Sequence, residues 1–120
     1  ERLAAAMLAD GVVSSDFLAA VFARETASST AFGPIALPHS IHMDVTRTNV
    51  AIMINPLGIV WNGNRDVNIV IMIAINSEER KIYQNFYNSL VEVFFEEKII
   101  EKITKAKSFS DFIDVIHHDL

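Results

Sequence analysis

Hydrophobic and polar positions divide the chain into helical and extended segments before any residue chemistry is considered. Leu3, Ala4, Met7 and Leu8 fall at helical spacing, and Gly11 after Asp10 marks a stop. Ser14, Ser15 and Asp16 offer N-cap chemistry for a second helix with apolar face Phe17, Leu18, Val21 and Phe22, ending near Arg24-Glu25. Ile35-Ala36-Leu37 is a short apolar segment stopped by Pro38. Proline fixes its own φ and biases the preceding residue toward extended geometry, so a strand ends there. Asn49 to Ile54 forms a strand closed by Asn55-Pro56, and a short second strand follows at Gly58 to Trp61. Asn62-Gly63-Asn64-Arg65 is turn-like, Asn-Gly being a hairpin signal.

The segment Val67 to Ile75 holds seven uninterrupted apolar residues from Ile69. A strand apolar on both sides has to be covered on both faces, which is the mark of a central strand between helices. That points to an α/β fold. Residues 78–95 then form a long helix with Ile82, Phe86, Leu90, Val93 and Phe94 in one stripe, widened by Tyr83 and Tyr87. Such an aromatic stripe is core rather than a cofactor box. A shorter helix lies around Ile99, Ile100 and Ile103. Ser108 caps a last helix bearing Phe109, Phe112, Ile113 and Ile116, with His117-His118 in its terminal turn, where a cation suits the dipole.

Composition narrows the class. One hundred and twenty residues make one domain with a single core, and 51% apolar against 21% charged residues argues against disorder. A net charge of −5 gives no basis for direct contact with nucleic acid or with an anionic membrane surface. There is no cysteine, hence no disulfide framework and no thiolate metal site, and a reducing cytoplasm is the simplest setting. No apolar run approaches the ~20 residues of a membrane helix, so no membrane insertion is expected. With 4 glycines and no Gly-rich loop, a nucleotide-binding loop and a bound cofactor are not expected. The chain begins at Glu1 inside a helical pattern, which suggests a single domain, residues 1–120, cut from a longer polypeptide.

The candidate chemistry lies between Arg24 and His39. His39 projects from a stiff strand end, where its imidazole is a candidate nucleophile. Arg24, Ser28, Ser29 and Thr30 lie upstream, and their donors suit a phosphate or carboxylate. On these residues alone, a nucleophile with an anion clamp stands beside a surface histidine following a turn. Arg24 likewise has the alternative of complementing its helix dipole. His39 and His42 at i, i+3 lack a third ligand, Asp44 alone being weak, so no metal site is assigned. Trp61 beside the turn is read as packing.

Arg24-Glu25, Ser29-Thr30-Ala31-Phe32-Gly33 and Ile35-Ala36-Leu37-Pro38-His39 together resemble the active-site stretch of the fructose/mannitol-type EIIA domains of the bacterial sugar phosphotransferase system. This chain has only Pro34 between Gly33 and Ile35, one residue fewer than usual, and Ser40 where glycine is common. The resemblance extends through 67–75, the long helix, Ile99-Ile100-Glu101-Lys102-Ile103 and Ser108-Phe109-Ser110-Asp111-Phe112. It implies a mixed β-sheet sandwiched by α-helices, with a leading strand missing at the start. It also implies that His39 carries a phosphoryl group which Arg24 helps to hold, with Ser29 and Thr30 as further donors. Sugar-transporting members generally carry a second histidine early in the long helix, a position that falls on Tyr83 when 67–75 is aligned without gaps.

Ser28 to Gly33, Ile59-Val60-Trp61, Glu78-Glu79-Arg80-Lys81 and Ala106-Lys107-Ser108-Phe109 are also similar to the EIIA-like domains ending BglG-type transcriptional regulators that contain PRD modules. That likeness implies a regulatory phosphoacceptor. It would receive phosphate from phospho-HPr or a related donor and act on neighbouring regulator domains. The alternatives are a transporter component passing phosphate from His39 to an EIIB protein, and a binding domain that keeps the fold without being phosphorylated.

Overall fold

The strand Asn64–Ala74 is the middle of a three-stranded sheet in the computed structural model, which describes residues 1–31, 33–40, 45–61, 63–94 and 96–119. In chain order the elements are α1 (Arg2–Ala9), α2 (Phe17–Ala27), β1 (Ile35–Ala36), β2 (Asn49–Trp61) and β3 (Asn64–Ala74). A single 3-10 turn (Ser77–Glu79) follows, then α3 (Arg80–Phe94), α4 (Glu97–Thr104) and α5 (Phe109–Asp119). The order across the sheet is β1-β3-β2, with β1 parallel and β2 antiparallel to β3. The mixed α/β architecture expected from the sequence is the one observed.

Alternation of side chains explains the unbroken apolar run of β3, since successive residues point to opposite faces. Ile69, Ile71, Ile73 and Ile75 join Ile35 and Leu37 on one face, under Leu90 of α3, Ile99 and Ile103 of α4, and Phe112 and Ile116 of α5. Met72 and Ala74 turn to the other face, against Ala4 and Met7 of α1 and Phe17 and Val21 of α2. Full burial of an isoleucine side chain contributes roughly 1.5–3 kcal/mol, so a strand packed on both faces is the main apolar anchor of the domain.

Several local expectations change. Asn55-Pro56 does not end a strand: β2 runs on to Trp61 as one element, with a register shift between Ile54 and Ile59. β2 is an edge strand, where a proline without an N–H is tolerated, and the chain bulges outward there with Leu57 95% exposed. Asn68 Nδ2 donates to the carbonyls of Asn55 (3.0 Å) and Pro56 (3.3 Å), holding the bulge in place. Helix α2 extends to Ala27, beyond Arg24-Glu25, and its expected apolar face loses Phe22, which is 51% exposed. Asp16 occupies its N-cap without a side-chain bond.

At α5 the expectation holds, because Ser108 Oγ accepts the Asp111 N–H at 3.1 Å. The turn expected at 62–65 is shorter than that: Gly63 sits at φ +84° between the paired residues Trp61 and Asn64, and Asn64 and Arg65 already belong to β3. His42, Asp44 and Asn62 lie outside the described residues, as do the side chains of Ile82, Tyr83, Phe86, Val93, Phe94, His117 and His118. Among the described residues no helix is long and apolar enough to cross a membrane.

Candidate functional site

The parallel register of β1 with β3, Ile35 opposite Ile69 and Ala36 opposite Val70, reappears three residues on as a bridge from His39 to Ile73. The Ile73 N–H donates to the Pro38 carbonyl at 3.0 Å. Pro38 has no N–H of its own to leave unpaired, so the step costs nothing on that side. His39 is therefore fixed by the central strand, and its direction is set by sheet geometry rather than by a loop.

The ring is oriented by one further bond. His39 Nδ1 lies 2.8 Å from the Leu37 carbonyl oxygen. A carbonyl only accepts, so Nδ1 carries a hydrogen, and in the neutral form of the ring the lone pair is on Nε2. The ring is half-buried and meets Tyr87 of α3 edge-on, with centroids 6.3 Å apart.

Arg24 reaches the same place from the last turns of α2. Its Nη1 donates to the Ser28 carbonyl at 2.6 Å, which satisfies a terminal helix carbonyl and complements the dipole. A guanidinium has five N–H donors, so that bond leaves capacity for an anion. Arg24, His39, Arg80, Gln84, Tyr87 and Asn88 line one cleft of about 350 Å³. The four from α3 are spaced i, i+4, i+7 and i+8 and so share one helix face. The arrangement brings the His39 ring and two guanidinium-bearing side chains around one solvent-accessible space.

Ser29 and Thr30 are placed differently from Arg24 and His39. Ser29 is exposed, and its Oγ accepts the Ala31 N–H at 3.1 Å. Thr30 is only 6% exposed and is turned inward. Its hydroxyl bonds Glu25 Oε1, and its N–H lies 3.1 Å from Glu25 Oε2. Neither lines the cleft, because the backbone of this segment sends the Thr30 side chain to a carboxylate instead. Tyr83 belongs to α3, and its side chain lies outside the described residues.

Sequence reasoning passed over Arg80, Gln84 and Asn88, although a polar i, i+4, i+8 series opposite an apolar stripe was a usable signal. It also gave no role to Glu25, a carboxylate 7% exposed that also accepts the Trp61 Nε1–H at 3.1 Å. Trp61 packs as expected, against Ala36, Val67 and Val70, and this bond is additional to its packing.

Comparison with known proteins places this geometry in context. The family model described as phosphoenolpyruvate-dependent sugar phosphotransferase system, EIIA 2, matches residues 1–119. The transcriptional regulator ManR of Bacillus subtilis (strain 168) is 27% identical over 114 residues, covering 94% of this chain and 17% of that protein. The mannitol-specific phosphotransferase enzyme IIA component of the same organism is 29% identical over 121 residues, covering 97% of this chain and 82% of that protein. Among solved structures, the complex of enzyme IIAMTL and phosphorylated enzyme IIBMTL from Escherichia coli gives a TM-score of 0.76 at 24% identity, covering 93% of this chain and 80% of that one. The crystal structure of IIA mannitol from Escherichia coli gives 0.73 at 24% identity, covering 92% and 80%. At such identity the likeness establishes the fold.

Proposed function

Because the chain belongs to the EIIA type 2 family of the phosphoenolpyruvate-dependent sugar phosphotransferase system, we propose that it is a regulatory phosphoacceptor domain with His39 as the acceptor. The observation that carries this reading is the convergence of His39 and Arg24 on one cleft, with Nδ1 of the ring already bound. In the proposed step the Nε2 lone pair attacks the phosphorus of a phosphohistidine on phospho-HPr or a related donor. The new N–P bond forms as the donor's N–P bond breaks, and the donor imidazole keeps that electron pair. The Nδ1–H stays on the Leu37 carbonyl throughout.

Positioning and charge neutralisation are most of what protein groups supply in phosphoryl transfer. Arg24 and Arg80 supply positive charge where the transferred group spreads its negative charge. Ser29 remains a candidate donor at the loop. Thr30 acts from behind. No metal or cofactor is required by this chemistry.

A regulatory role is favoured by what α3 presents. No histidine occurs between His42 and His117, and the cleft face carries Arg80, Gln84, Tyr87 and Asn88. A permanent cation holds phosphate but exchanges no proton near neutral pH. That suits retention of the phosphoryl group more than rapid relay. The phosphorylated ring adds about two negative charges at one spot, enough to dock or repel a neighbouring regulator domain in a cytoplasmic protein.

The second reading is a transporter component that hands phosphate from His39 to an EIIB protein. Similarity to a IIA component covering 82% of that protein supports it. Flanking helix-turn-helix and PRD modules in the full gene favour regulation, and flanking EIIB or EIIC segments favour transport. The direct test incubates the domain with labelled phosphoenolpyruvate, enzyme I and HPr. Label is expected on wild type and absent from His39→Ala. An unlabelled wild type leaves only the non-phosphorylated binding domain, and undiminished label on His39→Ala removes His39 as acceptor.

A further inference from the structure

We infer that Glu25 and Thr30 are positioning residues that decide which ring nitrogen of His39 is nucleophilic, acting through a buried chain of hydrogen bonds; the inference rests on the phosphoacceptor reading of His39. The chain starts at a carboxylate. Glu25 Oε2 accepts the Trp61 Nε1–H at 3.1 Å and the Thr30 N–H at 3.1 Å. Glu25 Oε1 accepts the Thr30 hydroxyl. The Leu37 N–H then donates to Thr30 Oγ at 3.1 Å, and the Leu37 carbonyl accepts His39 Nδ1–H at 2.8 Å.

The direction of every bond is forced. Backbone N–H groups only donate and carbonyl oxygens only accept, so the Leu37 N–H must occupy a lone pair of Thr30 Oγ. The oxygens of the Glu25 carboxylate likewise only accept, so the single hydroxyl hydrogen of Thr30 goes to Glu25. Burial leaves little room for substitutes, with Glu25 7%, Thr30 6% and Leu37 0% exposed. A polar group at such depth keeps its partner because losing it leaves a desolvated donor or acceptor. Both backbone handles of Leu37 are consequently pinned, one to Thr30 and the other to His39. A neutral imidazole has two tautomers, and only the one with hydrogen on Nδ1 satisfies the Leu37 carbonyl.

The carboxylate is needed as such. Both oxygens of Glu25 accept, Oε1 from the Thr30 hydroxyl and Oε2 from the Thr30 N–H and the Trp61 Nε1–H, so replacing either with an NH2 group sets a donor against a donor. Thr30→Val removes the hydroxyl at nearly constant volume, whereas Thr30→Ser keeps it.

The test uses two readouts on wild type, Thr30→Val, Thr30→Ser and Glu25→Gln. Imidazole 15N NMR, with His39 assigned by comparison with His39→Ala, reports the tautomer. Labelling by phospho-HPr reports rate and KM. Wild type and Thr30→Ser are expected to hold His39 in the Nδ1–H form. Thr30→Val and Glu25→Gln are expected to mix the tautomers and to slow maximal labelling about tenfold with KM for phospho-HPr unchanged, the signature of a misaligned nucleophile. A wild-type tautomer and rate in both Thr30→Val and Glu25→Gln overturns the inference. If Thr30→Val does not fold, Glu25→Gln against Thr30→Ser decides on the same readouts. The tautomer measurement needs no phosphoryl donor, so an unlabelled wild type defeats the functional reading while leaving the hydrogen-bond chain separately decidable.

Discussion

The indole Nε1–H of Trp61 reaches the carboxylate of Glu25 at 3.1 Å, tying the end of β2 to the last turns of α2 across 36 residues of sequence. The bond makes one aromatic side chain both a packing element and a donor to a nearly buried charge. It also explains why an acidic side chain next to Arg24 points inward while the guanidinium lines the cleft.

Trp61→Phe is expected to keep the ring packing and to lose the donor. A hydrogen bond to a charged group contributes ~1.5–3 kcal/mol, and Glu25 retains its bonds from Thr30, so the expected loss is about 1–2 kcal/mol. Urea unfolding followed by circular dichroism measures it. Labelling of His39 is expected to persist, since the bonds from Thr30 through Leu37 remain.

Arg24 and Arg80 are expected to differ as phosphate ligands. Arg24 is half-buried, whereas Arg80 is exposed, and an exposed charge is screened by water and salt. Arg24→Gln is expected to slow labelling by roughly a hundredfold and Arg80→Gln by roughly tenfold. Repeating the rates between low and high salt checks the assignment, because only the Arg80 contribution should fade strongly.

Gly63 tests the hairpin. It sits at φ +84°, and a Cβ added there would meet nothing within 4 Å. Space is therefore not the constraint, and the cost of Gly63→Ala is conformational, about 1–2 kcal/mol. For a domain of this size a change of that order lowers Tm by roughly 3–8 °C. Gly63→Asn should lose less, because asparagine tolerates left-handed backbone better. Thermal unfolding of the two variants decides the order.

Much of the architecture was legible because it depends on periodicity. The run from Ile69 to Ile75 marked a strand covered on both faces, and the structure buries alternate residues against α3–α5 and α1–α2. The continuity of β2 was not legible. Asn55-Pro56 is a local stop signal, and only the edge position of β2 allows a bulge to absorb it. Phe22 was assigned inward by helical spacing, yet the sheet covers a narrower arc of α2 than the apolar residues span.

The ordered residues from Arg24 to His39 determined by themselves that a histidine follows a proline-stopped strand with an arginine and hydroxyls upstream. Chain order carries that information directly. Which of those groups share a space was decided only by tertiary structure. The α3 residues Arg80, Gln84 and Asn88 stand more than 40 positions from His39, and a helix face acquires a neighbour only when its other face packs on the sheet. Thr30 was read as a donor suited to a phosphate or carboxylate, and the fold buries it against the carboxylate of Glu25. A hydroxyl takes the strongest acceptor within reach, and where that acceptor lies is fixed by packing.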